Sequence, residues 1–292
     1  MIQSQPSTRS RGPGIAQPAI WLGWDDYLAW LSGRLTTMEA AWGETVKLGP
    51  PWQPGEHDAM IGPTGEGKST YAVGRLALRK YVLALDPKGE DETLSQSGYD
   101  RVGSVWQPGL KWQATHRADS KTWNKIWKSI EDGGDGRVIV GGPARNDAEF
   151  LRLRELMGEA IGFCRYTRGW TLYVDEFEVV SSRDIYNLAR LVNLMLITAR
   201  RAGISVMTSY QAQAWVSKHA IRQARRAVIW PTGDRDMIRN VADGMGRDWR
   251  DVADAVDMLP PYHTLTIPRG KHHPMVITLA PELGKSKAKV KA

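Results

Sequence analysis

Cysteine is almost absent from this chain: Cys164 is the single one among 292 residues. One cysteine cannot form an internal disulfide, which excludes the class of small disulfide-stabilised secreted domains and favours a reducing compartment. Predominantly apolar runs stay far below the roughly 18 residues that a membrane-spanning helix needs. The longest, LVNLMLITA at 191–199, indicates a core helix. Residues 1–14 lack the apolar stretch of a secretory signal. We therefore expect a cytoplasmic protein without a membrane segment.

Acidic residues are also in short supply, with 32 Asp and Glu against 39 Lys and Arg, a formal net charge of +7. This balance favours a polyanionic partner such as nucleic acid, although an inert basic surface gives the same numbers.

Phenylalanine is scarce, with three against 13 tryptophans. Tryptophan suits both buried cores and stacking, and we expect most of these side chains in the core.

The stretch MIGPTGEGKST, residues 60–70, matches the phosphate-loop pattern G-x-x-x-x-G-K-[ST]. Glycines let successive N–H groups point at phosphate oxygens, Lys68 would reach the β- and γ-phosphates, and the Ser69 hydroxyl would bind Mg²⁺. A strand pattern precedes the loop and a helix pattern follows it, which would place the phosphates at a helix N-terminus. The alternative is a glycine-rich turn before an ordinary helix. The expected nucleotide-binding residues are Gly62, Pro63, Thr64, Gly65, Glu66, Gly67, Lys68, Ser69 and Thr70.

Strand and helix patterns alternate from residue 57 onward, which predicts an α/β fold with a mostly parallel sheet flanked by helices. The predicted strands end near residues 61, 86, 142, 175, 211 and 231, and 263–267 with 274–278 predict a hairpin beyond the sheet. The predicted helices span 24–35, 68–81, 122–132, 146–164 and 181–203.

The Pro/Gly-rich linker at 49–56 marks the predicted domain boundary. We expect an N-terminal arm with a short helical segment at 1–50, the main domain at 51–283, and a basic disordered tail at 284–292.

Two acids follow the strand pattern TLYV, and they complete the expected catalytic site. Asp175 would hold Mg²⁺, and Glu176 would polarise an attacking water at the carboxyl edge of the sheet. An acidic strand end that caps the next helix is the alternative. Gln211 ends another strand, where a polar side chain can touch the γ-phosphate.

Arginines cluster near the end of the predicted helix 181–203 and before the last strand. Arg200 or Arg201 could enter a neighbouring subunit's site and stabilise charge during phosphoryl transfer. An arginine at a helix C-terminus also pairs with the helix dipole, which is the alternative. Arg222, Arg225 and Arg226 form the second group.

Other nucleotide-dependent classes fit the sequence less well. A GTPase would need an Asn/Thr-Lys-x-Asp base-reading motif, and NKIW at 124–127 lacks the Asp. A small-molecule kinase remains an alternative, but the Asp175–Glu176 pair favours water as the acceptor. A simple binding module would not need Glu176. Hydrolysis coupled to movement is the preferred interpretation.

The order of GPTGEGKST, LDPKGE, LYVDEFE, ARRAGISVMTSYQ and LPPYHTLTIPRGKHHPMVI resembles the FtsK–HerA branch of P-loop motor ATPases. Within that branch the chain is similar to compact phage DNA-packaging ATPases and to the soluble core of secretion coupling proteins. The resemblance implies a RecA-like (ASCE) sheet, ATP and Mg²⁺ as cofactors, and a homo-oligomeric ring of five or six subunits that moves double-stranded DNA. It also implies the site roles given above, with Gln211 as sensor and Arg200 or Arg201 acting in trans.

The chain departs from some members of that branch. It has no N-terminal membrane helices, and no acidic nuclease cluster follows residue 231. These differences favour a minimal packaging motor, with a portal or capsid component as a further partner and the host cytoplasm as its location if a virus encodes it. A soluble coupling-protein-like ATPase is the alternative.

A basic segment at 111–128 could contact DNA. Lys111, Lys121, Lys125 and Lys128 alternate there with Trp112, Trp123 and Trp127. Phosphate contacts need only positive charge in register with the backbone. A solvated helix face over buried tryptophans is the competing interpretation.

Overall fold

The computed structural model describes residues 19–39, 44–89, 92–95, 100–102, 128, 132, 136–142, 144, 146–211 and 218–279. The strands are β1 (Ile20–Leu22), β2 (Thr37–Glu39), β3 (Thr45–Lys47), β4 (His57–Ile61), β5 (Tyr81–Asp86), β6 (Asp100–Val102), β7 (Gly136–Gly141), β8 (Thr171–Val174), β9 (Ser205–Tyr210), β10 (Ala224–Ile229), β11 (His263–Pro268) and β12 (Val276–Leu279). The helices are α1 (Trp24–Leu31), α2 (Lys68–Leu76), α3 (Glu92–Ser95), α4 (Asp147–Thr167), α5 (Phe177–Ser181), α6 (Ala189–Thr198), α7 (Lys218–Gln223), α8 (Arg235–Met245) and α9 (Trp249–Asp257).

Ten strands form one sheet in the order β1-β12-β11-β10-β4-β9-β8-β5-β7-β6, while β2 and β3 pair separately. All neighbours from β10 to β6 run parallel. Strands that are covered on both faces have nearly continuous apolar sequences. β8 is an example, because it is buried at all four positions. The predicted α/β fold with a mostly parallel, helix-flanked sheet is confirmed.

The C-terminal hairpin is also confirmed, but it lies within the sheet rather than beyond it. β11 pairs antiparallel with both β10 and β12, and β1 then pairs in parallel with β12. The N-terminal segment therefore supplies a strand to the main sheet, and the Tyr27 ring of α1 packs on the Tyr71 ring of α2. The domain boundary near residue 50 stays a prediction.

Each face of the sheet carries its own core. On one face, helices α4 and α6 to α9 bury side chains such as Met157, Val192 and Ile238. On the other face, α1 and α2 bury Trp30, Tyr71 and Trp230. Cys164 belongs to the first core, where burial raises the pKa of its thiol. None of the helices in the described part of the chain has the length and apolarity of a membrane span.

The single helix predicted for 181–203 is wrong. α5 ends at Ser181, a turn with Asn187 in the left-handed region (φ 54°) follows, and α6 begins at Ala189. A 3-10 turn, Ala199–Ala202, then closes the segment at Gly203. The apolar spacing was periodic enough to suggest continuity, but asparagine tolerates the left-handed backbone that breaks a helix.

Helices α8 and α9 were missed by the sequence analysis. Their signals are the aspartates that cap them: Asp234 accepts from the N–H groups of Asp236 and Met237, and Asp248 accepts from that of Arg250. The predicted helix 122–132 falls outside the described residues except for Lys128 and Asp132, as do the predicted N-terminal arm up to residue 18 and the tail from 284.

Candidate nucleotide-binding and catalytic site

The loop 62–67 joins the buried strand β4 to helix α2 at the carboxyl edge of the sheet. Gly65 and Gly67 both have φ of 85°, and a Cβ at Gly62 would lie 2.7 Å from the Cβ of Trp230. Glycine adopts positive φ without strain and permits the close approach at Gly62. The glycine pattern is therefore required by the backbone geometry of this turn, and a turn of this kind at the start of a helix can direct N–H groups at a bound anion.

Trp230 packs against this loop and is hydrogen-bonded to it. Its indole is fully buried, its ring N–H donates to the Glu66 carbonyl oxygen at 2.7 Å, and its backbone N–H donates to the Ile61 oxygen at 3.1 Å. The sequence analysis did not assign Trp230 to the site. Trp230 lies near the end of the last predicted parallel strand, and this position was the available signal, since such strand ends meet at the ligand-binding edge.

Lys68 begins α2 and is folded into the loop. Its ammonium donates to the carbonyl oxygens of Gly62 at 2.7 Å and Pro63 at 2.6 Å. Burial lowers the pKa of Lys68, and the nearby carboxylates of Asp175, Glu178, Glu176 and Glu66 oppose that shift. A cation held among acids next to open N–H groups suits the binding of a phosphate chain with its metal ion.

The acidic pair follows β8 on the same edge. The Asp175 N–H donates to the Leu85 oxygen at 3.0 Å, and its carboxylate accepts from the Tyr173 hydroxyl at 2.8 Å. Glu176 is buried and has a left-handed backbone (φ 44°, ψ 60°) at the start of α5. A non-glycine residue in this region stores strain, and such residues concentrate at functional sites.

The two oxygens of Glu176 have different surroundings. Oε1 lies 2.6 Å from the Lys88 ammonium and also accepts from the Gln211 side-chain amide. Oε2 is buried and has no hydrogen-bond partner among the described residues. Burial raises the pKa of Glu176, and the Lys88 ammonium opposes that shift. One oxygen is thus anchored, while the other keeps its full capacity to accept a hydrogen bond.

Gln211 connects the loop to the acidic pair. It follows β9, which lies between the loop strand β4 and the acidic strand β8. Its side-chain oxygen accepts from the Thr64 hydroxyl at 3.0 Å, and its backbone N–H donates to Glu178 Oε1 at 2.8 Å. The Gln211 side chain thus contacts both the loop and Glu176.

Arg200 and Arg201 lie at the opposite, amino edge of the sheet. Both are exposed in the 3-10 turn that precedes β9, next to Gly55 ahead of β4. They cannot reach the loop of their own subunit, so a role in a neighbouring subunit stays a prediction. Arg226 has a structural position instead, since it is buried within β10 and pairs with Glu56 and Asp58.

Of the four lysines predicted to contact DNA, Lys111, Lys121 and Lys125 lie outside the described residues. Lys128 is described and exposed in a helical position. DNA contact by this segment stays a prediction.

The residues at the loop fit a magnesium ion bound with a nucleotide. The Ser69 hydroxyl and the Asp175 carboxylate are oxygen donors, which Mg²⁺ prefers. In the described ranges, no group of three or more His, Cys, Asp or Glu could hold a metal ion. Mg²⁺ at nucleotide sites usually takes only one or two protein oxygens, with phosphates and waters as its other ligands.

Comparisons with known proteins show that solved structures share the fold of this chain. No protein-family model matches the sequence, and no curated protein is similar to it in sequence. The genome packaging NTPase B204 from Sulfolobus turreted icosahedral virus 2, solved with sulfate and also with AMPPCP, superposes with a TM-score of 0.51. It is 18% identical, and the match covers 79% of this chain and 98% of the NTPase.

Two further solved structures match over more of the chain. VirB4 of Thermoanaerobacter pseudethanolicus is 10% identical with a TM-score of 0.54, and the match covers 96% of this chain and 99% of VirB4. The bacterial conjugative coupling protein TrwBΔN70 is 12% identical with a TM-score of 0.53, and the match covers 89% and 92% of the two chains.

This chain shares with these three proteins the fold described above, a mostly parallel sheet with helices on both faces. The P-loop is the segment 62–69, and the acidic strand β8 is separated from the loop strand by β9, as the sequence resemblance implies. The identities are too low to transfer an activity, so the fold alone follows from these similarities.

Proposed function

We propose that this chain is an ATP-hydrolysing ring motor that translocates double-stranded DNA and packages a viral genome in the cytoplasm of the host. One observation supports the proposed hydrolysis above all: four side chains lie together at one edge of the sheet, namely Lys68, Asp175, Glu176 and Gln211. A phosphate-binding loop alone would serve a binding module. A buried carboxylate with one unpartnered oxygen beside that loop is suited to activating water.

In the proposed reaction, the P-loop N–H groups and Lys68 bind the ATP phosphates. Ser69 and Asp175 would hold Mg²⁺, which supplies charge neutralisation on the phosphates when bound. Glu176 Oε2 accepts a proton from water as the water oxygen attacks the γ-phosphorus, and ADP leaves. Gln211, in contact with Thr64 and Glu176, would sense whether the γ-phosphate is present.

DNA is proposed as the substrate moved by this energy. The net charge of +7 favours a polyanion. The similar fold of a genome packaging NTPase favours packaging, with a portal or capsid component as docking partner. A coupling-type role in DNA transfer is the second candidate, because the fold of TrwBΔN70 matches equally well over more of this chain.

A comparison of ATP turnover with and without double-stranded DNA tests this function. We expect DNA to stimulate phosphate release. Lys68→Ala should weaken nucleotide binding by about 1.5–3 kcal/mol, the usual contribution of a hydrogen bond to a charged group. If DNA leaves turnover unchanged while a small acceptor gains phosphate from ATP, the chain is a kinase and the motor proposal is wrong.

The proposed ring of five or six subunits requires a cation from a neighbour, and Arg200 or Arg201 is the proposed donor. We expect activity to rise steeply with protein concentration. Subunits carrying Arg200→Ala or Arg201→Ala should regain some activity when mixed with Glu176→Gln subunits, since each supplies what the other lacks. A monomer by light scattering with turnover strictly proportional to concentration would contradict the ring.

DNA binding should ignore sequence and weaken steeply with salt, because it depends on phosphate contacts. Replacing Lys121, Lys125 and Lys128 together by alanine should flatten the salt dependence and reduce DNA-stimulated turnover. DNA-free hydrolysis should remain near that of the parent. An unchanged salt slope would exclude this segment from the DNA-binding surface.

A further inference from the structure

The sequence analysis assigned no role in the site to Lys88, but two hydrogen bonds hold the turn that carries it. It follows β5 in the turn DPKG, where Asp86 Oδ1 accepts from the Gly89 N–H at 2.9 Å. The Tyr186 hydroxyl donates to the Pro87 oxygen at 2.9 Å, and Gly89 has φ of 68°. The backbone that carries Lys88 is therefore fixed from the strand on one side and from the segment before α6 on the other.

The fixed turn directs the lysine toward the catalytic carboxylate. The Lys88 ammonium lies 2.6 Å from Glu176 Oε1, with the lysine side chain 53% exposed and the glutamate side chain 5% exposed. Exposed ion pairs are usually weak because solvent screens them, but here one partner is buried. The pair also shares its oxygen with the Gln211 amide, so Oε1 is bound from two directions.

Two donors on one oxygen restrict the rotation of the carboxylate. With Oε1 held by Lys88 and Gln211, Oε2 keeps a fixed direction and is the oxygen without a partner among the described residues. The backbone of Glu176 alone does not fix its side chain, whose outer torsions each have several states. Precise aim matters for a general base, because small displacements from the reactive geometry slow a reaction strongly.

We propose that Lys88 is a positioning residue for hydrolysis: by holding Glu176 Oε1 it aims Oε2 at the attacking water. This inference rests on the proposed function, since the step that Lys88 assists is that hydrolysis. Lys88 itself does not touch the reacting atoms. Two other roles are distinguishable from this one, namely an exposed ion pair without consequence and a brake that keeps Glu176 from water.

The experiment compares Lys88→Met, which removes the charge at similar length, with Lys88→Arg, which retains a donor of similar reach. Lys80→Met is the matched control, because Lys80 is an exposed lysine at the other end of the same strand. We expect Lys88→Met to lower kcat by about a hundredfold, as a misplaced catalytic group does, and to leave KM for ATP unchanged. Lys88→Arg should recover most of the lost kcat, and Lys80→Met should match the parent.

Other outcomes would overturn the proposal. If kcat of Lys88→Met equals that of the parent, the ion pair has no consequence; if kcat rises, Lys88 is a brake. If KM rises and kcat does not change, Lys88 contributes to ATP binding and not to the aim of Glu176. A loss of kcat that arginine does not restore would indicate only a disturbed turn.

A second measurement separates this inference from the proposed function. In protein labelled with ¹³C at glutamate carboxyls, the Glu176 resonance is identified by its loss in Glu176→Gln. It should shift in Lys88→Met, return toward the parent value in Lys88→Arg, and stay unchanged in Lys80→Met. An unmoved resonance overturns the Lys88 contact even if ATP is hydrolysed. A parent protein without turnover contradicts the proposed function while the resonance still tests the contact.

Discussion

Two buried carboxylates, near opposite ends of the parallel strands, are used in different ways. Asp58 in β4 has both oxygens paired, Oδ1 with Arg226 at 3.2 Å and Oδ2 with Arg75. Glu176 after β8 has one oxygen anchored and one without a partner among the described residues. Buried polar groups are normally satisfied, and the exceptions among the described residues include Arg75 Nε and Nη1 in the Asp58 cluster as well as Glu176 Oε2. The two carboxylates differ in their own oxygens: both are paired in Asp58, which fits a role in stability, and one is unpaired in Glu176, which fits the proposed activation of water.

The largest expected effect comes from Glu176→Gln, which keeps the shape of the side chain but removes its ability to accept a proton. Turnover should fall by about 10²–10⁴-fold, the usual contribution of a general base. Nucleotide binding should persist. Phosphate release and binding of a fluorescent ATP analogue measure the two quantities. Glu155→Gln on the exposed face of α4 is the control, and a variant at Glu176 that turns over like the parent would remove the distinction between the carboxylates.

Arg75→Met should affect stability and not chemistry. Removing one partner leaves Asp58 buried with an incompletely compensated charge, which costs about 3–5 kcal/mol in the free energy of unfolding. Urea denaturation measures it. Arg152→Met, in an exposed pair with Glu155 at 3.0 Å, should cost at most about 1 kcal/mol. Equal losses in the two variants would show that burial of the Asp58 cluster is energetically unimportant.

Gln211→Ala sharpens the comparison by removing one of the two donors on Glu176 Oε1. A hydrogen bond to a charged group contributes about 1.5–3 kcal/mol, so kcat should fall roughly 10–150-fold if the bond persists in the transition state. Single-turnover kinetics measure the effect on the chemical step. Gln53→Ala in the exposed linker is the control. An unchanged kcat would mean that Glu176 is aimed without Gln211.

The smallest expected effect, counted for a change of one pH unit, concerns His57, the neighbour of Asp58. Its Nδ1 accepts from the Val206 N–H at 3.0 Å, so Nε2 carries the proton and donates to the Leu196 oxygen at 3.1 Å. Burial lowers the pKa of His57 to about 4. As the pH falls, His57 is therefore protonated in the unfolded chain before it is protonated in the folded one. The contribution of neutral His57 to the free energy of unfolding is present above pH 6.5 and is lost between pH 6.5 and about 4.

That slope is at most about 1.4 kcal/mol per pH unit for one group. Denaturant unfolding of the parent and of His57→Gln across this range isolates it, because the glutamine does not titrate there. If both proteins lose stability in parallel, His57 is not the group that responds.

Local chemistry made the P-loop and the acidic strand predictable from the sequence. Glycine spacing and a buried strand ahead of Lys68 allow few other structures, and TLYVDE has a strand pattern that ends at its acids. The order of β4, β9 and β8 then brings Gln211 between them. Parallel strands meet at one edge, so residues distant in sequence could be assigned to one site.

The partners that complete the site could not be predicted. Lys88 and Trp230 act through contacts with Glu176 and with the loop, and a sequence pattern does not specify such distances. A prediction of helices α8 and α9 would have required Asp234 and Asp248 to be recognised as N-terminal caps. The break at Asn187 depended on a residue in the left-handed region, which the spacing of apolar residues does not reveal.

The short strand β1 protects an edge of the sheet. Without it, β12 would present its free N–H and C=O groups to solvent, next to the exposed Leu279. Unpaired edge strands of this kind can pair with strands of other chains, which leads to aggregation. β1 has only three residues, so it offers a poor template for further pairing. Removal of residues 1–22 should therefore reduce solubility, and the loss of the buried Ile20 and Leu22 should also lower folding stability, although β1 lies far in sequence from the strand it covers.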